Sequence, residues 1–391
     1  MAGHYARALA FWAMTALLLP PLLFVAALAA LVAAAVGSTG GTGAVPPVAA
    51  LERRLLRQRV AARLEHVTRD VRLVGARPLR CRVHLVRVSA GGGGEPPAVL
   101  VHGIAGSCLS LATLIDALAA ERDVVALDLP GFGRSHADAA ATAILREFPD
   151  PAEFYLRVLE ACLPPRALLV GHSYGAYLCV RFAARFPERV AGLGLISPVG
   201  IFPTLGAGGA YWGAAFKHGW RGGRLLGAAG RALAIRLLEE LPLYWYCVAA
   251  HPRAFGGELV AAHISLTTFS CAWRHPALAA LASLRCPVGL VYGAADGLSP
   301  PHQGEALREL LPGLGLLVVP GAGHNPVTAG AELVAALTRA GAAAPRRGPR
   351  GDFGAVDLAR YRSSFDRAET ARVIAALYAD LRAVAAAKAN A

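Results

Sequence analysis

The chain has 391 residues, long enough for one large domain with attachments and a sizeable core. Its formal net charge is +13, yet lysine occurs only at Lys217 and Lys388; nearly all of the 39 basic residues are arginines, scattered without a run of five. With the heavy alanine and glycine content this reads as compositional bias, and it argues against a nucleic-acid partner. The seven cysteines form no C-x-x-C pair and have no zinc spacing, so they read as free thiols packed as small hydrophobes in a reducing compartment.

In chain order, Ala8 to Val36 is an uncharged stretch of 29 residues, against the roughly 20 that a bilayer span needs. Pro20-Pro21 would kink a helix, which lipid tolerates better than water does. Ala33-Ala34-Ala35 admits a signal-peptide reading, but the apolar stretch is too long for a usual signal core. Residues 1–36 are therefore expected to be a retained single-pass transmembrane helix. Arg53, Arg54, Arg57 and Arg59 outnumber Arg7, which places the main domain on the cytoplasmic side. Residues 37–69 read as a Gly/Pro/Thr linker followed by an amphipathic helix. Leu51, Leu55, Leu56, Val60 and Leu64 recur at helical spacing up to Val67, either against the membrane face or as a solvated connector.

From Val71 the period changes to two. Cys81, Val83 and Leu85 alternate with Arg82, His84 and Val86, as in one strand of an opening antiparallel pair. Ala98 to Val101 is a short buried strand, a helix is expected from about Leu109 to Ala120, and a strand from Val124 to Leu127. The repeat continues with a helix over Pro151 to Cys162, a strand ending at Gly171, a second helix, and a strand over Val190 to Ile196. Such alternation implies a mostly parallel sheet covered on both faces. The 85 residues from Val199 to Ser283 break the rhythm and hold four of the five tryptophans. This stretch reads as a helical lid over the strand ends or as a cap packed for stability, with Trp212, Trp245 and Trp273 as candidate substrate contacts. The rhythm resumes at Pro287 to Gly293, with a helix from about His302 to Leu311, a strand over Leu316 to Val319 and a last helix from Pro326 to about Leu337. The core is thus expected over 70–198 and 284–341. Residues 342–391 add a basic linker and a helix whose Leu377, Leu381 and neighbours either pack back on the domain or bind a partner that the sequence does not identify.

Three strand ends carry chemistry. Leu168-Leu169-Val170-Gly171-His172-Ser173-Tyr174-Gly175 is an apolar run ending in G-x-S-x-G, followed at once by a helix-compatible run. That turn is too tight for side chains on both sides of the serine, and Gly171 and Gly175 remove them. An activated serine needs a base, and the base an orienting carboxylate. Asp296, in Gly293-Ala294-Ala295-Asp296, and His324, in Gly321-Ala322-Gly323-His324, each follow a strand and come in the order Ser, Asp, His.

Residues from about 70 to 340 resemble the α/β-hydrolase family. The resemblance is carried by His102-Gly103, Asp128-Leu129-Pro130-Gly131-Phe132-Gly133-Arg134-Ser135, Gly171-His172-Ser173-Tyr174-Gly175, Gly293-x-x-Asp296 and Gly323-His324. It implies an α/β sandwich with a mostly parallel central sheet and a helical lid insertion. It also implies Ser173 as nucleophile, His324 as general base and then acid, and Asp296 as its orienter. The backbone N–H of Tyr174, with that of Ile104 or its neighbour Gly103, would form the oxyanion hole. No metal or cofactor is implied; Asp128 would be a turn residue, and His102 and His172 supporting groups. Relatives that dehalogenate or open epoxides have aspartate where Ser173 stands. An H-x-x-x-x-D acyltransferase signature is missing, because Ala329 is five residues after His324. The sequence thus points to a membrane-anchored serine hydrolase cleaving carboxylic esters of hydrophobic or lipid-derived substrates. The alternatives are an acyltransferase, a thioesterase, a C–C hydrolase, or a binding protein that retains the triad.

Overall fold

The apolar runs form the strands of one sheet, and their alternating side chains form the two faces that helices cover. The computed structural model describes residues 60, 62–73, 79–90, 95–103, 106–130, 132–135, 151–201, 277–296 and 299–329, with positions between 372 and 384. The strands are β1 (Leu64–Leu73), β2 (Leu79–Val88), β3 (Ala98–Val101), β4 (Val124–Leu127), β5 (Ala167–His172), β6 (Val190–Ile196), β7 (Val288–Gly293) and β8 (Gly315–Val319). Their order in space is β1-β2-β4-β3-β5-β6-β7-β8. Strand β2 runs against both β1 and β4, and all the remaining pairs are parallel. The helices are α1 (Ala112–Leu118), α2 (Pro151–Cys162), α3 (Tyr174–Arg185), α4 (Leu278–Ser283) and α5 (Pro301–Leu310).

Successive side chains of a strand point to opposite faces, and β3 shows the consequence. Val99 and Val101 join a core cluster with α2, α3, α4 and α5, including Phe154, Leu159, Tyr177, Phe182, Leu281 and Leu307. Ala98 and Leu100 join the opposite cluster with Leu114, Ile115 and Leu118 of α1. A strand buried on both faces needs a continuous apolar run. All four residues of β3 and all six of β5 and β7 are buried. Glu153 of α2 accepts from Arg181 at 3.0 Å and Arg185 at 2.6 Å on α3, which fixes the two helices side by side.

Strands β4 and β6 and helix α2 have the expected bounds. The expected helix to Val67 is corrected: Leu64 to Val67 are strand, and Val60, ahead of the expected start at residue 70, is already buried in the core. The cause is non-local. All ten residues of β1 pair with β2, from Leu64↔Val88 to Leu73↔Leu79, and a window ending at Val67 sees none of that partner. The last helix is described only over the 3-10 turn Pro326–Ala329. Residues 1–59, most of the proposed lid with Trp212, Trp245 and Trp273, and Ile104 lie outside the described residues. Among the described residues no helix is long and apolar enough to cross a membrane. Of the two readings of the tail, packing back on the domain is the one observed. Leu377 and Leu381, one helical turn apart, are buried in the α2–α5 cluster, with Val373 packed against it.

Helix α3 leaves β5 against the end of β3, and a Cβ on Gly175 would run into the Val101 carbonyl oxygen. Gly175→Ala is expected to destabilise the protein by about 1–3 kcal/mol, as overpacking of a rigid contact does, and to lower the melting midpoint by several degrees. Thermal unfolding followed by circular dichroism checks this.

Candidate active site

The three residues that the sequence places at separate strand ends meet at one point. Ser173 directly follows β5, Asp296 follows β7 by three residues, and His324 is in the loop after β8. His324 Nε2 is 3.0 Å from Ser173 Oγ. His324 Nδ1 is 2.9 Å from Asp296 Oδ2 and 3.1 Å from Oδ1. With Nδ1–H facing a carboxylate, Nε2 is left as the acceptor that faces the hydroxyl, the tautomer a general base requires. Asp296 has a side chain with no exposed surface, and its Oδ1 also accepts from the Ser299 backbone N–H at 2.8 Å. Ser299 is tied by its own hydroxyl to the Pro198 carbonyl at 2.7 Å, so the carboxylate stands on a loop anchored beyond β6. Asp296 does not cap the next helix; Pro300 occupies that position on α5.

The backbone at Ser173 is bent as a tight elbow demands. Its φ is 54° and ψ −117°, and the only other non-glycine residue with positive φ among those described is Ser197, at the end of the neighbouring strand. Such a conformation typically costs about 1–3 kcal/mol and persists only where the surroundings dictate it. Here the Ser173 N–H donates to the Ile196 carbonyl at 2.8 Å, and the Ser173 carbonyl accepts from Ala176 N–H at 3.1 Å. A Cβ on Gly171 would overlap the backbone of Gly175 and Ala176. Tyr174 is the first residue of α3, so its N–H lies at the positive end of a twelve-residue helix beside Oγ. Its ring is buried, 5.5 Å from Tyr177 and 6.2 Å from Tyr155 between centroids.

Gly103 faces the serine from the end of β3: a Cβ there would lie 2.9 Å from Ser173 Cβ and 3.2 Å from His172 Nδ1. Its carbonyl accepts from His102 Nδ1 at 2.6 Å and from Gly106 N–H at 3.1 Å, turning the loop back over the strand ends. His102 Nε2 accepts from Leu129 N–H at 2.9 Å, joining this loop to the end of β4. Burial holds the His102 imidazole below its ordinary value against the opposing pull of Asp128. His172, also fully enclosed, is pushed down to about 3 by burial, with His324 next in effect. Both histidines around the serine are thus neutral hydrogen-bonding groups.

One part of the site was underread from sequence. Asp128 is more than a turn residue: its carboxylate accepts from Cys108 N–H at 2.7 Å, Arg134 N–H at 2.8 Å and His84 Nδ1 at 2.9 Å. Burial alone would raise its pKa, but the His84 hydrogen bond and charge, with His102 and the Arg134 N–H, outweigh that and hold the carboxyl well below the usual range. Gly133, at φ 53°, sits where any Cβ would strike this carboxylate, which accounts for the glycine in the Gly-Phe-Gly-Arg-Ser run. His84, Cys108 and Asp128 are close enough together to hold a cation, the one such group among the described residues. Asp128 already accepts from His84 Nδ1 and from the Cys108 backbone N–H, so the cluster reads as a buttress for the His102 loop. The period-two pattern of β2 gave His84 a face but no partner, since Asp128 lies 44 residues further on.

A sheet in this strand order, with serine, histidine and carboxylate converging at the ends of parallel strands, is the architecture of the α/β hydrolases. The model of the alpha/beta hydrolase fold family matches residues 96–329, more than half of the chain, and the protein belongs to that family. A Pseudomonas putida dihydrolipoyllysine-residue acetyltransferase component of an acetoin cleaving system is 41% identical over 112 residues, 28% of this chain and 29% of that protein. A human (lyso)-N-acylphosphatidylethanolamine lipase is 34% identical over 128 residues, 32% of this chain and 36% of that protein. The chain therefore matches only about a third of the length of these curated relatives. A crystal structure of a membrane phospholipase A, described as a novel bacterial virulence factor, aligns at a TM-score of 0.54 over 81% of this chain and 98% of that one. Its sequence identity is 24%, a likeness of fold.

The buried histidines make stability depend on pH. The folded His102 and His172 bind protons less readily than the unfolded chain, whose histidines titrate near 6.5. Their burial costs nothing above that pH and costs progressively more as pH falls from about 6.5 toward about 3. The melting midpoint, measured across that window, is expected to fall with acidification, and His172→Phe to make the fall shallower.

Proposed function

We propose that the protein is a membrane-anchored serine hydrolase that cleaves carboxylic esters of hydrophobic or lipid-derived substrates through an acyl-enzyme. The observation that carries this reading is the continuous hydrogen-bonded line Asp296–His324–Ser173, ending on a hydroxyl held in a left-handed elbow. As Ser173 Oγ attacks the ester carbonyl carbon, His324 Nε2 takes its proton, and Asp296 stabilises the imidazolium that forms. The carbonyl oxygen becomes an oxyanion held by the Tyr174 N–H and that of Ile104 or Gly103, donors of a kind worth about 3 kcal/mol each. The bond to the alcohol oxygen then breaks, and His324 returns its proton to the departing alcohol. Water, deprotonated by the same histidine, attacks the acyl carbon and releases the acid and free Ser173.

The hydrophobic substrate class is supported by the aromatic-rich stretch 199–283 and by the likeness to a lipase and a phospholipase fold. Anchoring by residues 8–36 is supported by their length and lack of charge. Acyl transfer is the second reading, favoured by the likeness to the acetyltransferase component. Transfer to an alcohol replaces the water of the last step and needs no other change in the site.

A fluorophosphonate probe is expected to label the wild-type protein in membranes and to fail on Ser173→Ala and His324→Ala. Turnover of an ester is expected to fall by about four orders of magnitude or more in either variant. No labelling of folded wild type would leave a binding protein as the better reading. Rates that rise with acyl length from short to long esters support the substrate class, and a flat profile removes it. Product analysis with and without an added alcohol separates hydrolysis from transfer, and extraction at alkaline pH that leaves the protein in the membrane fraction supports the anchor.

A further inference from the structure

The hydroxyl and the base of the site arrive from opposite ends of half the sheet. Ser173 follows β5 and His324 follows β8, with β6 and β7 between them. Asp296 grips the imidazole ring, but a ring held only by its far nitrogen still moves with its backbone. The main chain before His324 is tied on one side, where Ala295 N–H donates to the Ala322 carbonyl at 2.8 Å, and is open on the side of Gly321 and Gly323. Gly321 has φ 67°, and a Cβ on either Gly321 or Gly323 would meet nothing within 4 Å.

We propose that His172 is a positioning residue for His324: by donating its Nε2–H to the His324 carbonyl oxygen, it locks the backbone of the base to the strand that carries the nucleophile. The two atoms are 2.9 Å apart, and the rings lie against each other with centroids 5.3 Å apart at 50°. His172 is the last residue of β5, directly before Ser173, and is 1% exposed. This hydrogen bond from the residue next to the nucleophile ties the base to β5 directly, in addition to the ties that its loop makes to Ala295 and Asp296. His172 is the first x of the G-x-S-x-G run, a position that the motif itself does not specify.

The choice of imidazole follows from what the place demands. The group must donate a hydrogen bond, be flat enough to lie beside His324, and carry no charge next to an imidazolium that forms during the reaction. Burial keeps His172 neutral, which meets the last condition. With Nε2 protonated, Nδ1 is an acceptor; it is buried, has no hydrogen-bond partner among the described residues, and faces Gly103. One ring therefore touches both the oxyanion loop and the backbone of the base. Arginine or lysine would supply the donor but place a like charge beside His324.

This assignment rests on the serine-hydrolase reading, and its test keeps the two apart. His172→Phe preserves a flat ring and removes the donor, whereas His172→Gln keeps an N–H at a similar reach. With melting midpoints measured for both, His172→Phe is expected to lower kcat and the rate of fluorophosphonate labelling about 10- to 100-fold, the usual cost of a small misplacement. KM should stay within about twofold, and His172→Gln should recover most of the loss. A His172→Phe variant that labels at the wild-type rate overturns the assignment. So does a His172→Gln variant that folds as the wild type does and loses as much as His172→Phe. Wild-type protein that the probe does not label overturns the hydrolase reading instead. Should His172→Phe fail to fold, nitrogen NMR of histidine-labelled wild type decides: a His172 ring protonated at Nε2 with a scalar coupling to the His324 carbonyl carbon is expected, and protonation at Nδ1 ends the proposal.

Discussion

The passage from β5 into α3 is the constraint on which the rest of the site depends. Gly171 lies against the backbone of the helix that follows, and Gly175 against the last carbonyl of β3, so helix and sheet approach more closely than any side chain would allow. The serine between them has one backbone conformation that joins both, the left-handed one, and that conformation lifts its hydroxyl off the sheet edge. The other groups are arranged around that fixed point. The Asp296 loop is moored to Pro198, the His324 loop reaches across β6 and β7, and Gly103 closes the remaining side.

Buried polarity around this point is organised as neutral donors and acceptors. His102 links the Gly103 carbonyl to the Leu129 N–H, and His172 links the elbow strand to the His324 carbonyl. The charged residues near them are carboxylates. Asp128 is held by His84 and two backbone N–H groups, and Asp296 by His324 and one. An enclosed carboxylate with several donors stays ionised, while an enclosed imidazole with few partners stays neutral. In the proposed reaction the one group that gains a positive charge is His324, whose partly exposed ring faces Asp296.

Much of this was legible in the sequence, for reasons that are local. Gly171, Ser173 and Gly175 lie within five residues, and the apolar run before them marks the strand whose end they form. Asp296 and His324 could be placed because each follows a run of the same kind. The interactions that hold these three in register were not legible. His84 meets Asp128 across 44 residues and His172 meets His324 across 152, and neither spacing leaves a periodic trace. The strand at Leu64 to Val67 was misread for the same reason, since the ladder that makes it a strand belongs to β2.

The stretch that matches the family spans residues 96–329, and the packing does not stop there. Val71, Cys81, Val83 and Leu85 from the two opening strands share one core with Leu377 and Leu381 from the far end of the chain. The unit that must fold is therefore larger than the stretch that the family model matches. Cutting the chain at the borders of the resemblance would take part of the core away, exposing the apolar sides of α2 to α5 to water while leaving every residue of the triad in place.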